Sequence, residues 1–226
     1  MLGNGKLIVI SGSAGSGKGT VLKELFSLSD YKYSVSATTR APRAGEADGV
    51  DYYFMTREDF AAKVANGDML EHVEYSGNFY GTPREPVAKM LGEGYSVILE
   101  IEVIGALNIK ENFPEAVLIF LSPPDYAELE RRLRGRNSES EEIIKERLAI
   151  AEQEARSIGE YDYLVLNSTG EQKKTAFSIY CIAEAEKYKN IPGKDLPREH
   201  DLILQVAEES KIDARKAERF LRAYFN

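Results

Sequence analysis

The sequence predicts an α/β fold: a phosphate-loop parallel sheet flanked by helices, interrupted by an inserted lobe and a helical lid. Three observations carry this expectation. Four short segments are continuously apolar and rich in Val, Ile and Leu, as strands covered on both faces are. Between them lie segments whose apolar residues recur at spacings of three and four. The two kinds alternate along the chain, which calls for crossover connections and a parallel sheet.

Taken in order, Lys6–Ser11 reads as the first strand and Thr20–Leu28 as the helix after it. From about 33 to 82 the rhythm breaks. Tyr33–Ala37, Val50–Phe54 and Met69–Tyr75 look strand-like and Glu58–Ala65 helical, in a stretch dense in Tyr, Arg and Gly. This is the expected insert, a substrate lobe. The core pattern resumes with strand Tyr95–Ile101, helix Val103–Asn112, strand Ala116–Leu121 and helix Tyr126–Gly135. Helix Glu141–Ile158, strand Tyr161–Asn167 and helix Thr175–Tyr188 follow. Residues 131–147 mix arginines with acidic residues and read as a charged, mobile hairpin of helices. The expected division is a domain over 1–190, with its insert at 33–82 and lid at 131–147, then an extension over 191–226. That extension opens on a Pro-rich linker and continues as helices Asp201–Glu209 and Asp213–Tyr224, with Asp201 and Asp213 as N-caps.

The chain has 226 residues, enough for one large domain with a small appendage. Its formal charge of −8 argues against broad binding to nucleic acid or membrane surfaces. The longest apolar run, Ala116 to Leu121, is far short of a membrane span. One cysteine, Cys181, excludes an intrachain disulfide framework, and two histidines argue against a His/Cys zinc site. A cytoplasmic location is expected, with Cys181 a buried helix residue.

The strongest chemical signal is Gly12-Ser13-Ala14-Gly15-Ser16-Gly17-Lys18-Gly19-Thr20, directly after a strand and before a helix. Glycines there admit unusual backbone angles and bring N–H groups close to a phosphate. Those N–H groups and the helix N-terminus stabilise its charge. Lys18 would reach the β- and γ-phosphates. Gly19 stands where such loops carry a Mg²⁺-binding Ser or Thr. Thr20 is one residue late and suits the α-phosphate. The metal accompanying ATP is then expected on phosphates and water, with no direct protein ligand. Glu100, at the end of a strand, would orient such a water.

The insert offers the acceptor site. Arg40 and Arg43 lie three apart beside Pro42, and paired guanidiniums suit a nucleotide monophosphate. Tyr52 and Tyr80 add phenolic hydroxyls. Glu71 matches guanine, whose N1–H and 2-amino group are adjacent donors, whereas adenine has no N1–H. Ser36 and Thr82 suit O6 or N7, and Glu102 the 2-amino group.

Several stretches together resemble the guanylate kinase family: SGSAGSGKGT, SVSATTRAPRAGEADGVDYYF, DMLEHVEYSGNFYGTPRE, EIEVIGA, RRLRGRNSESEEIIKERL and EYDYLVLN, in order across Lys6 to about Lys189. The resemblance implies a nucleoside-monophosphate kinase with core, GMP-binding and lid parts, transferring the γ-phosphoryl of ATP to GMP and dGMP with Mg²⁺. It implies that Lys18 binds ATP phosphates and that Arg40, Arg43, Tyr52 and Tyr80 bind the GMP phosphate. Ser36, Glu71, Thr82 and Glu102 would bind the rest of GMP, mainly the base. Arg136 and Arg147 would be lid arginines reaching the transferring phosphoryl.

The chain departs from the family pattern at Gly19, where Ser or Thr is usual, and at Glu100 and Glu102, where aspartates are usual. Thr82 stands where Ser is also common. Two alternatives follow: a kinase of another small phosphorylated acceptor, or a non-catalytic guanylate-kinase-like module. Retention of Lys18, Arg136 and Arg147 speaks against the module. Beyond Asn190 the resemblance stops. The segment from Lys194 balances seven basic with seven acidic residues, no DNA-binding excess. Its two amphipathic helices read either as a cap docked on the kinase or as a homodimer contact.

Overall fold

The computed structural model describes residues 5–75, 77–135, 140–189 and 199–225. They divide into two compact units: Met1–Val9 with Tyr31–Ala116, and Ile10–Asp30 with Val117–Asn226.

The division falls inside strand β1 (Leu7–Ser11), every residue of which is buried. β1 is the middle strand in the order β2-β7-β1-β8-β9. In the first unit β2 (Lys32–Tyr33) pairs in parallel with β7 (Val97–Glu100). In the second, β8 (Val117–Ser122) pairs in parallel with β9 (Tyr163–Leu166). The expected parallel α/β core is what forms, because continuously apolar strands can be covered on both faces.

The first unit also holds a four-stranded sheet of order β4-β3-β6-β5. Its strands are β3 (Ala37–Thr38), β4 (Tyr53–Phe54), β5 (Met69–Tyr75) and β6 (Asn78–Pro83). Helix α2 (Arg57–Ala65) closes it, capped where Thr56 accepts from the Asp59 N–H at 3.0 Å. Phe60 of α2 stacks on Phe79 of β6 at 5.6 Å, beside buried Ala37 and Met69. The unit is completed by α3 (Arg84–Gly92), packed on β7, and α4 (Val103–Asn112), packed on β5.

Three expectations need correction here. β2 joins the core sheet rather than the insert, since Lys32 and Tyr33 pair with Val97 and Ile98. β6 was not anticipated: Gly81 and Pro83 spoil its strand pattern, and pairing with both β5 and β3 supplies what propensity lacks. Nor was α3, whose Pro86 argues against a helix. In the first turn that proline removes only an N–H with no intrahelical acceptor.

In the second unit, α1 (Lys18–Leu28) packs on α7 (Gln172–Tyr188) through Val21, Leu22 and Leu25. Cys181 is fully buried on α7, as expected, and burial pushes its thiol up to about 11. Helices α5 (Tyr126–Gly135) and α6 (Glu141–Arg156) pack together on either side of the undescribed 136–139. A 3₁₀ turn, Ser157–Glu160, ends α6 before the expected Ile158.

The extension forms α8 (Glu199–Ser210) and α9 (Ala214–Tyr224). Asp213 is the expected N-cap, accepting from the Lys216 N–H at 2.6 Å. Asp201 is not a cap: it lies inside α8. Both helices dock on their own chain, α8 on α7 and β9, and α9 on the 3₁₀ turn. The Ile212 N–H donates to the Asp162 carbonyl at 3.0 Å, and Ala207, Ala217, Phe220 and Tyr224 are buried. Leu202, Leu204 and Phe225 stay exposed, but nothing else points to a second copy and the dimer expectation finds no support. Of the expected linker at 191–200, residues 191–198 lie outside the described residues, and the last two belong to α8 instead. No helix among the described residues is long and apolar enough to cross a membrane.

Candidate active site

Two groups of residues carry the candidate chemistry, one in each unit.

In the second unit, β1 runs into the glycine-rich loop and the loop into α1. Gly12, Gly15 and Gly17 all have positive φ, 146°, 93° and 91°. Gly12 has a second constraint: a Cβ there would lie 2.0 Å from the Leu121 carbonyl oxygen. Lys18 begins α1 and donates its ammonium to the Gly12 carbonyl and, at 3.4 Å, to that of Ser13. The cation is folded back over the loop. Thr20 Oγ1 donates to the Gly17 carbonyl at 2.8 Å, and Gly19 has open space where a side chain would stand.

Two residues that sequence reading did not assign hold this loop from outside. Arg132 donates to the Ser16 carbonyl at 3.2 Å and to the Asn167 carbonyl at 2.5 Å. Asn167 donates its side-chain amide to the same Ser16 carbonyl at 2.8 Å. Glu128 fixes Arg132 at 2.8 Å. Pairing with Arg131, and bonds from Thr169 and Arg132, hold the Glu128 carboxyl down to about 2. Arg132 and Asn167 lay in plain sight inside RRLRGR and EYDYLVLN. Spacing alone gave no reason to aim them at Ser16.

In the first unit, three of the four predicted phosphate ligands gather. The Arg40 guanidinium lies 5.4 Å from the Tyr52 ring, and the Tyr52 and Tyr80 rings meet edge-on at 6.0 Å. Glu46, unassigned from sequence, organises the turn. It accepts from Arg40 at 2.9 Å and from the Arg43 backbone N–H at 2.7 Å, and the Arg40 bond above all draws its carboxyl down. The Arg43 side chain is exposed and does not join the Arg40 cluster.

The predicted base readers are interior. Ser36 is 8% exposed, Glu71 6% and Thr82 fully buried. Thr82 donates to Glu71 Oε1 at 2.8 Å. A Cβ on Gly105, in the first turn of α4, would lie 2.8 Å from Glu71 Oε2, so the backbone there comes right up to the carboxylate. Burial raises the Glu71 carboxyl to about 7, against the opposing pull of the Thr82 bonds. Glu102 precedes α4 without capping it through its side chain. Glu100 ends β7. A cavity of about 510 Å³ lines one side of Glu71 with Val64, His72, Arg84 and Asn108, but it includes none of Ser36, Thr82 or Glu102 and is not the predicted base pocket.

Of the lid arginines, Arg147 lies on α6 and Arg136 lies outside the described residues.

Comparison with known proteins gives a consistent picture. The guanylate kinase family model matches residues 4–179. Guanylate kinase of Streptococcus thermophilus (strain CNRZ 1066) is 51% identical over 187 residues, covering 82% of this chain and 88% of that protein. Guanylate kinase of Streptococcus pneumoniae (strain R6) is 49% identical over 190 residues, covering 83% and 90%. The crystal structure of guanylate kinase from Anaplasma phagocytophilum superposes with a TM-score of 0.68 at 35% identity, covering 83% and 89%.

Proposed function

The chain belongs to the guanylate kinase family, and on that premise we propose how its own residues carry ATP-dependent phosphorylation of GMP. The activity itself follows from curated relatives near 50% identity that span most of this chain. The other-acceptor kinase and the non-catalytic module are not favoured.

GMP binds the lobe of β3 to β6. Arg40, Tyr52 and Tyr80 take its phosphate, with Arg43 joining from the exposed turn. The buried Glu71 carboxylate accepts from guanine N1–H and the 2-amino group, and Glu102 accepts from the latter. Ser36 donates to O6 or N7, while Thr82, whose one hydroxyl proton goes to Glu71, holds that carboxylate in place. The observation that carries this reading is the buried Glu71–Thr82 pair: an interior carboxylate awaiting donors suits guanine and leaves adenine without an N1–H to offer.

ATP binds residues 12–20 through backbone N–H groups and Lys18. The loop fits polyphosphate, with three positive-φ glycines and an ammonium held on its own carbonyls. Its donor set fits Mg²⁺ as a largely hydrated ion: Gly19 offers no side-chain oxygen, and the described residues hold no group of three or more His, Cys, Asp or Glu. Glu100 would hold one of its waters. The ion supplies charge neutralisation at the β- and γ-phosphates.

Phosphoryl transfer needs alignment and charge stabilisation more than covalent chemistry. A GMP phosphate oxygen attacks the γ-phosphorus in line, with no protein nucleophile. Lys18, Arg147 and Arg136 stabilise the transferring charge. A cytoplasmic location is part of the proposal, supported by the single, buried cysteine.

A coupled assay with ATP and GMP, dGMP, AMP, CMP and UMP tests the whole reading. Turnover confined to GMP and dGMP is expected. Absence of turnover with GMP, or a preference for another monophosphate, defeats it.

A further inference from the structure

The turn that follows Arg40 is built around one carboxylate. The chain reverses over Arg43–Glu46: the Glu46 N–H donates to the Arg43 carbonyl at 3.1 Å, and Gly45 takes the positive φ, 91°, that such a reversal needs at its third residue. The reversal turns the Glu46 side chain back on both arginines of the proposed phosphate site. Oε1 accepts from the Arg40 guanidinium at 2.9 Å. Oε2 accepts from the Arg43 backbone N–H at 2.7 Å. Glu46 thus grips one arginine by its head and the other by its backbone, with one oxygen for each.

The rest of the turn fixes Arg40 without exhausting it. Its other terminal nitrogen donates to the Ala41 carbonyl at 2.8 Å. Its backbone N–H donates to Thr38 Oγ1 at 3.1 Å, and the fully buried Thr38 hydroxyl donates in turn to the Phe79 carbonyl at 2.9 Å. The guanidinium lies 5.4 Å from the Tyr52 ring and 5.8 Å from the Phe54 ring. A guanidinium carries five N–H donors. With one given to Glu46 and one to Ala41, three are left for phosphate oxygens, so the ion pair and a bound phosphate are compatible.

We propose that Glu46 is a positioning residue for GMP: acting through Arg40 and Arg43, it holds the two phosphate-binding residues in register before the substrate arrives. The inference rests on the reading of Arg40 and Arg43 as ligands of the GMP phosphate. Its physical basis is preorganisation. An arginine that is already oriented loses less side-chain freedom when it meets a phosphate. The opposite arrangement, in which Glu46 is a stand-in anion that GMP has to displace, makes the opposite prediction: removing its charge would then tighten GMP binding.

The test is calorimetric titration of Glu46→Gln with GMP and, separately, with guanosine, which keeps the base and lacks the phosphate. Glutamine preserves the shape but offers one acceptor oxygen to two donors. Kd for GMP should rise roughly five- to twentyfold, the scale of a lost charge-assisted hydrogen bond, while Kd for guanosine and KM for ATP stay within about twofold of wild type. Arg40→Ala should weaken GMP further. Adding Glu46→Gln to it should cost less than Glu46→Gln costs alone, since part of the effect passes through Arg40. Unchanged or tighter GMP binding in Glu46→Gln, an equal weakening of GMP and guanosine, or full additivity with Arg40→Ala would each overturn the proposal. If Arg40→Ala weakens GMP and Glu46→Gln does not, only the role of Glu46 fails. If Arg40→Ala leaves GMP affinity intact, the phosphate-site reading fails and this inference with it.

Discussion

Thr82 donates its hydroxyl to Glu71 across the β5–β6 pair at 2.8 Å, in an interior where the carboxylate is 6% exposed. One neutral donor does not repay the burial of a charge, and the carboxyl is raised to about 7. The site is built with an electrostatic deficit that guanine's two donors would fill.

Glu71→Gln should therefore damage GMP use selectively. An amide offers one acceptor oxygen and a misplaced donor, leaving part of the guanine edge unpaired. The cost is roughly 1–3 kcal/mol, about 5- to 150-fold in kcat/KM for GMP. KM for ATP should stay near wild type. Equal losses for both nucleotides would remove Glu71 from the base site.

The same carboxyl predicts a pH dependence. Guanine needs the ionised form, so KM for GMP should rise as pH falls through about 7, while KM for ATP should not follow it. A pH profile of kcat/KM for GMP that is flat from pH 6 to 8 in wild type, and identical in Glu71→Gln, contradicts this.

Stability runs the other way. A carboxyl whose folded pKa is about 7, against an ordinary 4.5, binds its proton more tightly in the folded state. The ionised form then costs stability, growing as pH rises from about 4.5 to 7 and constant above, by at most about 3 kcal/mol. Glu71→Gln removes that cost. Its melting temperature relative to wild type should be higher at pH 8 than at pH 5. The reverse ordering in thermal melts of the two proteins would show that burial does not dominate at Glu71.

Lys18→Ala should lower kcat by orders of magnitude with the fold intact, because the ammonium bonds only loop carbonyls in the free protein and its main partner is the polyphosphate. Circular dichroism checks the fold and a coupled assay the rate. Near-normal kcat would refute its role.

Gly19→Ser should be accepted sterically, since nothing lies within 4 Å of a Cβ there. Serine is also a better helix former than glycine by about 0.5 kcal/mol in the first turn of α1. Its hydroxyl would offer the metal a protein oxygen, so half-maximal activity should need less Mg²⁺. A Mg²⁺ titration identical to wild type would mean the metal does not approach residue 19.

The phosphate loop was legible because its chemistry is contiguous: nine neighbouring residues carry strand end, glycine turns, lysine and helix start. Residue type offered Glu71 and Thr82 separately as candidate guanine contacts, and only β5–β6 pairing shows them bonded to each other. Glu46, Arg132 and Asn167 could not, since an acidic or amide side chain carries no mark of which distant carbonyl or guanidinium it will meet. β6 and α3 escaped notice because Gly81, Pro83 and Pro86 speak locally against them, and long-range pairing and helix-end geometry overrule that.

By itself, the sequence determined the alternation of buried strands and amphipathic helices and the glycine-rich loop before Lys18, and it offered the acid at residue 71 as a candidate guanine reader. These depend on local pattern and on the chemistry of single side chains. Tertiary structure alone decided where the C-terminal helices went. An amphipathic face states that it must be covered but not by what. Only tertiary packing buried Phe220 and Tyr224 against the rest of this chain.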